Sequence, residues 1–128
     1  MTVLILDNHQ DDLKALQPTL QRVWPEIHWI AAPDAETLLA HSRTESPDVI
    51  MLDLAASPDR QTRLCRQLKA DPLLQHPCVI FLTDPATSRE NRIAALDAGA
   101  EAFLRRRFDE VECGAQIRAI ARLRFTCG

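Results

Sequence analysis

Four polar residues stand at or just beyond the ends of short apolar runs. Asp7, Asp53 and Thr83 each directly follow four apolar residues, and Arg106 comes two residues after a fifth, shorter run. In an open parallel sheet, ligands bind beyond the carboxyl ends of the strands. If the strands lie in the order 2-1-3-4-5, these two carboxylates, the hydroxyl and the guanidinium surround one shallow ligand pocket.

The elements that must position these residues alternate between strand and helix. Three runs are unbroken and typical of strands covered on both faces, and two weaker runs suit edge strands: residues 3–6, 49–52 and 79–82, then 27–31 and 102–104. A helical pattern follows each run, and Asp34 and Asp109 can begin two of these helices, while Gly99 can end another. Pro18 should kink the first helix or shift its start. The order predicts an α/β domain, a doubly wound five-stranded parallel sheet with five helices.

Composition excludes several classes of function. A length of 128 residues with 46% hydrophobic residues favours one domain over residues 1–128, without an output domain. The net charge of -3 and the scattered basic residues argue against nucleic-acid binding. No apolar run approaches the ~20 residues that span a bilayer, and no signal peptide is recognisable. Four cysteines without a CxxC pair suit a reducing cytoplasm, so we expect a cytoplasmic protein.

Three segments resemble the receiver domain of two-component response regulators. Residues 47–54 resemble that family's third strand with its acceptor aspartate, and residues 81–83 resemble its fourth strand with the switch threonine. Residues 99–104, followed by Phe108-Asp109, are similar to its fifth strand and the start of its last helix. The resemblance covers essentially the whole chain and implies a flavodoxin-like fold.

The resemblance also implies a chemistry, in which an aspartate attacks phosphorus and forms an acyl phosphate. A divalent ion, usually Mg²⁺, bridges the carboxylate and the phosphoryl oxygens. The matching positions give Asp53 as acceptor and Thr83 as switch hydroxyl, with Arg106 in place of the family lysine. The implied metal ligands are Asp7, Asp53 and the backbone carbonyl of Ala55, with Asn8 as a weak ligand. Phe103 takes the position of the rotating aromatic residue.

The chain departs from the family pattern at the site itself. Asn8 replaces the second of two acids, which should weaken Mg²⁺ binding. Arginine keeps the charge of lysine at position 106, but its planar group makes this exchange non-conservative. Arg107 replaces a proline that is often cis, and the loop at residues 56–61 lacks the usual glycine. Asp84 stands where a small residue usually gives access, and its charge should repel a phosphoryl donor.

Each of these residues also has a simpler interpretation, which the sequence leaves open. Strand-end polar residues often cap a turn or a helix, Arg106 can belong to a solvated loop, and an edge-strand aromatic can simply pack. A lone loop histidine is usually neither a metal ligand nor a phosphorelay residue, and adjacent acids can favour the N-terminus of a helix. These interpretations concern Asp7, Asp53, Thr83, Arg106, Phe103, His9 and the pair Asp11-Asp12.

Three functions follow as hypotheses. The first is a non-enzymatic receiver that a histidine kinase or phosphotransfer protein phosphorylates on Asp53, with at most self-catalysed phosphorylation and dephosphorylation. It would switch an output domain or effector, and could form a homodimer, through its fourth helix, fifth strand and fifth helix. The alternative is a pseudo-receiver, an interaction or dimerisation module independent of phosphate. A metal-dependent phosphatase-like enzyme is the weakest, because no second acid or base suited to turnover accompanies Asp53.

Overall fold

The computed structural model describes residues 1–6, 11–74 and 77–125, and within them strands and helices alternate as the sequence predicts. The fold class is therefore confirmed. In chain order the elements are β1 (Thr2–Leu6), α1 (Asp11–Val23), β2 (His28–Ala32), α2 (Ala35–Glu45), β3 (Val49–Asp53), α3 (Pro58–Ala70), β4 (Cys78–Thr83), α4 (Arg89–Asp97), β5 (Ala102–Arg105) and α5 (Glu110–Phe125). Within the described residues, no helix combines the length and hydrophobicity needed to cross a membrane.

All five strands are parallel and lie in the order β2-β1-β3-β4-β5, as predicted. Parallel pairing brings the carboxyl ends of all strands to one edge of the sheet. At that edge Asp53 is paired with Leu82 across β3 and β4, and Thr83 is paired with Arg105 across β4 and β5. The sheet therefore carries the predicted site residues of β3, β4 and the segment after β5 to neighbouring positions.

Apolar side chains are buried on both faces of the sheet, which explains the unbroken apolar runs. One face, here called the α2/α3/α4 face, packs Ile50 and Phe81 against residues such as Leu38, Leu64 and Ala95. The other, the α1/α5 face, packs strand and helix residues including Val3, Met51, Ile80, Leu16, Leu20 and Ile117. Because the three central strands are covered on both sides, their backbone ends are held rigidly under the site.

The helix boundaries follow local signals that the sequence contains. Asp34 caps α2 by accepting a 2.7 Å hydrogen bond from the amide of Thr37, and Oδ1 of Asp109 accepts from the amides of Val111 and Glu112. Gly99 follows α4 with φ of 111°, a conformation that side chains with a Cβ rarely adopt. These three predicted boundary residues are confirmed.

The five strands differ from the predicted apolar runs by at most one residue at either end, and one helix differs in the effect of its proline. The strand β2 begins and ends one residue later than residues 27–31, because this half-buried edge strand lacks a sharp apolar boundary. Helix α1 continues through Pro18 from Asp11 to Val23, so its start is not shifted to the proline. Pro18 is exposed. Leu16 and Leu20, which precede and follow the proline in the helix, are fully buried and pack against the α1/α5 face.

Candidate functional site

Asp53 is the last residue of β3, and its carboxylate stands at the carboxyl edge of the sheet. Its side chain is 25% exposed, and its Oδ1 accepts a 2.9 Å hydrogen bond from the amide of Ala55. The backbone just beyond it is fixed by a bond from the amide of Leu54 to the carbonyl of Leu82. Asp53 therefore stabilises the turn that follows β3 and still presents its carboxylate to solvent.

Arg106 reaches Asp53 with both arms of its guanidinium. Its Nη2 lies 2.9 Å from Oδ2 of Asp53, and its Nη1 lies 3.3 Å from Oδ1. The backbone amide of Arg106 donates a 2.7 Å bond to the carbonyl of Thr83, which holds this residue beside the end of β4. The peptide bond between Arg106 and Arg107 is cis. The interpretation of Arg106 as a solvated loop residue is therefore wrong, because its side chain is 24% exposed and paired with the predicted acceptor.

The Arg106 guanidinium also lies near an aromatic ring. Its Cζ is 5.8 Å from the ring centroid of Phe108, a distance at which a cation is attracted to the ring face. Phe108 is partly buried and packs against the α1/α5 face, so the ring is a fixed neighbour. The guanidinium consequently has a carboxylate partner and an aromatic partner, both positioned by the fold.

An open cleft of about 890 Å³ lies around this ion pair. Among the described residues, four carboxylates and two guanidinium groups line it, so the side-chain charge that these residues contribute is negative on balance. Such a balance disfavours a large polyanion and favours ligands with cationic or mixed character. The lining residues are Leu6, Asp11, Pro33, Asp34, Ala35, Asp53, Ala55, Ala56, Arg60, Gln61, Leu64, Asp84 and Arg106.

Thr83 lies beside this cleft without lining it. It is the last residue of β4 and only 4% exposed, and its carbonyl holds the amide of Arg106. The structure thus brings Thr83 next to Asp53 and Arg106, as the sequence predicts, but buries it. A role for its hydroxyl in switching stays a prediction.

Asp84 uses its carboxylate within its own loop. Its Oδ1 accepts from the amide of Ala86 at 2.9 Å and lies 3.3 Å from the hydroxyl of Thr87. The Thr87 hydroxyl also accepts from the amide of Asp84, and Arg92 donates to the carbonyl of Thr87 at 2.7 Å. This network fixes the loop between β4 and α4, a role that sequence reasoning missed although an aspartate three residues before a threonine is a local turn signal. Repulsion of a donor by Asp84 stays a prediction.

Two further cleft residues were not identified from the sequence. The carboxyl group of Asp34 lines the cleft, and the Thr37 amide that it caps lowers its pKa, so it remains charged. Gln61 places its Oε1 in a buried position without a hydrogen-bond partner among the residues that the structure describes. The capping role of Asp34 was predictable, whereas no sequence signal marks Gln61, because its position depends on how α3 leaves β3.

Phe103 packs in the way that the simpler interpretation describes. Its ring centroid lies 6.5 Å from that of Phe81, with the ring planes tilted by 31°. It is partly buried against the α2/α3/α4 face. Packing explains the position of Phe103 on β5, and a rotating role stays a prediction.

The residues needed for a metal site are described only in part. Asp7, Asn8 and His9 lie outside the described residues. Among the described residues, no group of three or more histidine, cysteine or acidic side chains could hold a metal ion. Asp53 and the carbonyl of Ala55 supply oxygen donors, which Mg²⁺ prefers. Both Asp53 oxygens, however, already contact the guanidinium, so the observed arrangement does not fit a metal ion bound directly to this carboxylate.

Comparison with known proteins gives one consistent result. The family model of the response regulator receiver domain matches residues 3–118. Response regulator PleD of Caulobacter vibrioides is 30% identical over 122 residues, covering 95% of this chain and 26% of that protein. The alkaline phosphatase synthesis transcriptional regulatory protein PhoP of Bacillus subtilis is 27% identical, covering 94% of this chain and 48% of that protein. The chain thus spans less than half the length of these relatives.

A solved structure with the same fold is the signal receiver domain of a DNA-binding response regulator from Colwellia psychrerythraea. It is 21% identical, has a TM-score of 0.81, and the match covers 95% of this chain and 98% of that one. At this identity the likeness concerns the fold alone. It supports the five-stranded parallel sheet and its strand order.

Proposed function

Because this chain belongs to the response regulator receiver family, we propose that it is a receiver module of a two-component phosphorelay, with Asp53 as phosphoryl acceptor. One observation carries the proposal. Asp53 ends β3 inside the cleft, with a cation from the segment after β5 against its carboxylate. A nucleophilic carboxylate beside a group that can neutralise phosphoryl charge is the arrangement that phosphoryl transfer needs.

The proposed transfer forms one bond to phosphorus and breaks another. A carboxylate oxygen of Asp53 attacks the phosphorus of a phosphohistidine, and the phosphorus–nitrogen bond breaks as the phosphorus–oxygen bond forms. The electron pair of the broken bond stays on the imidazole, which takes up a proton. Arg106, already placed at the carboxylate, would transfer its two hydrogen bonds to phosphoryl oxygens. Thr83 would then approach the phosphoryl group as the switch hydroxyl.

Magnesium belongs to the same proposal, because receiver domains typically bind Mg²⁺. The ligand set would be Asp7, Asp53 and the Ala55 carbonyl, with a weak contribution from Asn8. When bound, such an ion neutralises charge on phosphoryl oxygens. Asp53 must lose at least one guanidinium contact before it can serve as a direct ligand.

The proposed partners follow from this function. A histidine kinase or phosphotransfer protein donates the phosphoryl group, and an output domain or effector reads the change on α4, β5 and α5. On α4, Ile93 and Leu96 are 41% and 50% exposed, and on α5 Val111 is 79% exposed, which supports contact with a partner or a second copy there. A cytoplasmic location fits both these partners and the buried thiols of Cys65, Cys78 and Cys113.

The pseudo-receiver is the second candidate, and a specific observation favours it. The two-armed contact of Arg106 engages both oxygens of the Asp53 carboxylate at once, which the point charge of a lysine ammonium does not do. Together with Asn8 in place of an acid, this contact favours a module whose partner binding is independent of phosphate. The observation that would support the pseudo-receiver is a partner protein that binds Asp53→Asn with the same affinity as the unmodified chain.

The deciding experiment is incubation with acetyl phosphate and Mg²⁺, followed by intact-mass measurement. The receiver function predicts one phosphoryl adduct that Asp53→Asn abolishes. Asp59→Asn is the matched control, because Asp59 is exposed in the first turn of α3 and does not line the cleft. Absence of any Asp53-dependent adduct would contradict the receiver function and favour the pseudo-receiver. Steady release of phosphate from varied phosphoesters would instead revive the enzyme hypothesis.

A further inference from the structure

The contact between Arg106 and Asp53 places a positive charge where a metal ion would have to bind. Both carboxylate oxygens contact the same guanidinium, and Oδ1 also accepts the amide of Ala55. A second cation at this carboxylate would lie within a few ångströms of the guanidinium, where like charges repel strongly in a partly buried site. The arginine and a directly bound metal ion therefore compete for the same oxygens.

We propose that Arg106 is an internal counter-cation that competes with divalent metal ions for Asp53, so that the ion pair must open before metal binds. The inference rests on the proposed function in taking Mg²⁺ as the relevant ion. It assigns to Arg106 a positioning role that lowers metal affinity, and thereby gates access to the acceptor carboxylate.

The backbone geometry indicates how the pair opens. The amide of Arg106 is bound to the carbonyl of Thr83, at the end of a fully buried strand, so the Cα of Arg106 is fixed. Release must come from rotation of the side chain. In the paired state Phe108 lies 5.8 Å from the guanidinium, so the cation leaves Asp53 in the neighbourhood of an aromatic ring.

A guanidinium competes with a metal ion for the Asp53 oxygens more strongly than the ammonium of a lysine would. Its planar fork satisfies both oxygens of a carboxylate at once, whereas an ammonium is a point charge that satisfies one at a time. A lysine at this position would leave one Asp53 oxygen for a metal ion. Arginine at position 106 therefore neutralises the Asp53 carboxylate within the protein and, in doing so, weakens metal binding there.

The test is the Mg²⁺ affinity of the intact chain, measured by titration calorimetry without any phosphodonor. Arg106→Gln removes the competing charge and should bind Mg²⁺ about tenfold more tightly than the unmodified chain, a change of about 1.4 kcal/mol. Arg106→Lys should give an intermediate gain. Arg105→Gln is the matched control, because it removes the same charge from the preceding exposed residue, which does not line the cleft, and it should change affinity less than about twofold.

A double-mutant cycle locates the effect. In an Asp53→Asn background, Arg106→Gln should no longer tighten Mg²⁺ binding, because the contested carboxylate is gone. If Arg106→Gln does not fold, as judged by circular dichroism, Arg106→Lys alone decides. Equal or weaker Mg²⁺ binding in the folded Arg106 variants, or an equal gain in Arg105→Gln, would overturn the proposal.

The outcome is separable from that of the proposed function. Tighter Mg²⁺ binding in the Arg106 variants, without an adduct on Asp53 in any variant, would support the competition and reject the phosphoryl acceptor. An Asp53 adduct on the unmodified chain, with unchanged Mg²⁺ affinity in the Arg106 variants, would support the acceptor and reject the competition.

Discussion

The ion pair between Arg106 and Asp53 is partly buried, and this partial burial determines how much the pair stabilises the fold and how readily it opens. The two side chains are 24% and 25% exposed, so each retains part of its contact with water. Water screens the attraction, but it also spares both groups the full cost of desolvation. The pair can therefore form and break at modest cost, which suits a group that has to release its partner.

The stability contribution of this pair should be small. In a cycle of Asp53→Asn, Arg106→Gln and the double variant, we expect a coupling of about 1 kcal/mol or less in the free energy of unfolding. The coupling should fall further at high salt, because partly exposed charges are screened. Urea denaturation at low and high salt measures both quantities. A coupling of about 3 kcal/mol or more would mean that the pair behaves as a buried one and does not open readily.

The residue types at the site were predictable, but their contacts were not. Asp53 follows an apolar run that must be a strand, so its place at the edge of the sheet follows from the pattern alone. The contact of Arg106 depends on the path of the chain after β5, which brings three consecutive arginines past the cleft and directs only one of them to Asp53. Hydrophobic periodicity carries no information about that path.

At the level of single elements, helix α2 begins at a charged cap beside the cleft. The amide of Thr37 donates to Asp34, and this bond holds the pKa of the Asp34 carboxyl below its usual value. Because the folded pKa is depressed, the stabilisation is present above the pKa of the unfolded chain. It is lost as the pH falls through the folded value.

We therefore expect Asp34→Ala to lower the melting temperature by a few degrees at neutral pH. The difference from the unmodified chain should shrink as the pH falls below about 4, the ordinary pKa of an aspartate in the unfolded chain, and toward the lower pKa of the folded Asp34 carboxyl. Asp34→Asn is the control, because asparagine caps a helix without a charge and should cost less than alanine. Calorimetry at neutral and acid pH measures these differences. A loss in Asp34→Ala that does not depend on pH would show that the charge of the cap is irrelevant.

The loop between β4 and α4 is a second element whose stiffness can be tested. Asp84→Ala removes the acceptor of the Ala86 amide and a partner of the Thr87 hydroxyl. We expect hydrogen exchange at the Ala86 amide to accelerate about tenfold, which corresponds to losing one modest hydrogen bond. Exchange measured by NMR should be unchanged in β3. Asp97→Ala, which removes an exposed acid from the end of α4, is the control. An equally protected Ala86 amide in Asp84→Ala would contradict the role given to this network.

The strands and helix boundaries were largely predictable, and the exceptions have physical causes. The three central strands are buried on both faces, so their sequences are unbroken apolar runs with sharp ends. Each central strand contains its predicted run and extends it by one residue at one or both ends. The half-buried edge strand β2, which mixes His28 and Trp29 with aliphatic residues, is instead shifted as a whole by one residue. In the β4–α4 loop, the Asp84 carboxylate accepts from the amide of Ala86 and the hydroxyl of Thr87, and the local turn signal in the sequence does not by itself specify these partners.

In the whole molecule, the hydrophobic clusters on the two faces of the sheet are joined by the strands that they share. Cys65 belongs to the α2/α3/α4 face, whereas Cys78 and Cys113 belong to the α1/α5 face. Burial raises the pKa of the Cys65 thiol to about 11, and burial also raises the pKa of Cys113. The sequence contains no tyrosine and two lysines, so few other side chains titrate in the same range.

These thiols should make the fold sensitive to alkaline pH. Because the folded pKa of Cys65 lies above its value of about 9 in the unfolded chain, the unfolded state loses its proton first. The stabilisation is complete below about pH 9 and is lost as the pH rises toward 11. Between about pH 8 and about pH 10.5 we expect the unmodified chain to lose about 1–2 kcal/mol more than Cys65→Ala.

The measurement is urea denaturation of both chains at each pH, so that the lower absolute stability of Cys65→Ala cancels in the comparison. Cys65→Ala is the informative variant because Cys65 is fully buried and alanine leaves no group to ionise. Equal alkaline losses in the two chains would contradict the prediction, since the folded Cys65 thiol would then ionise as readily as the unfolded one. A larger loss in the unmodified chain would show that ionisation of the buried Cys65 thiol, on the α2/α3/α4 face, contributes to unfolding at alkaline pH.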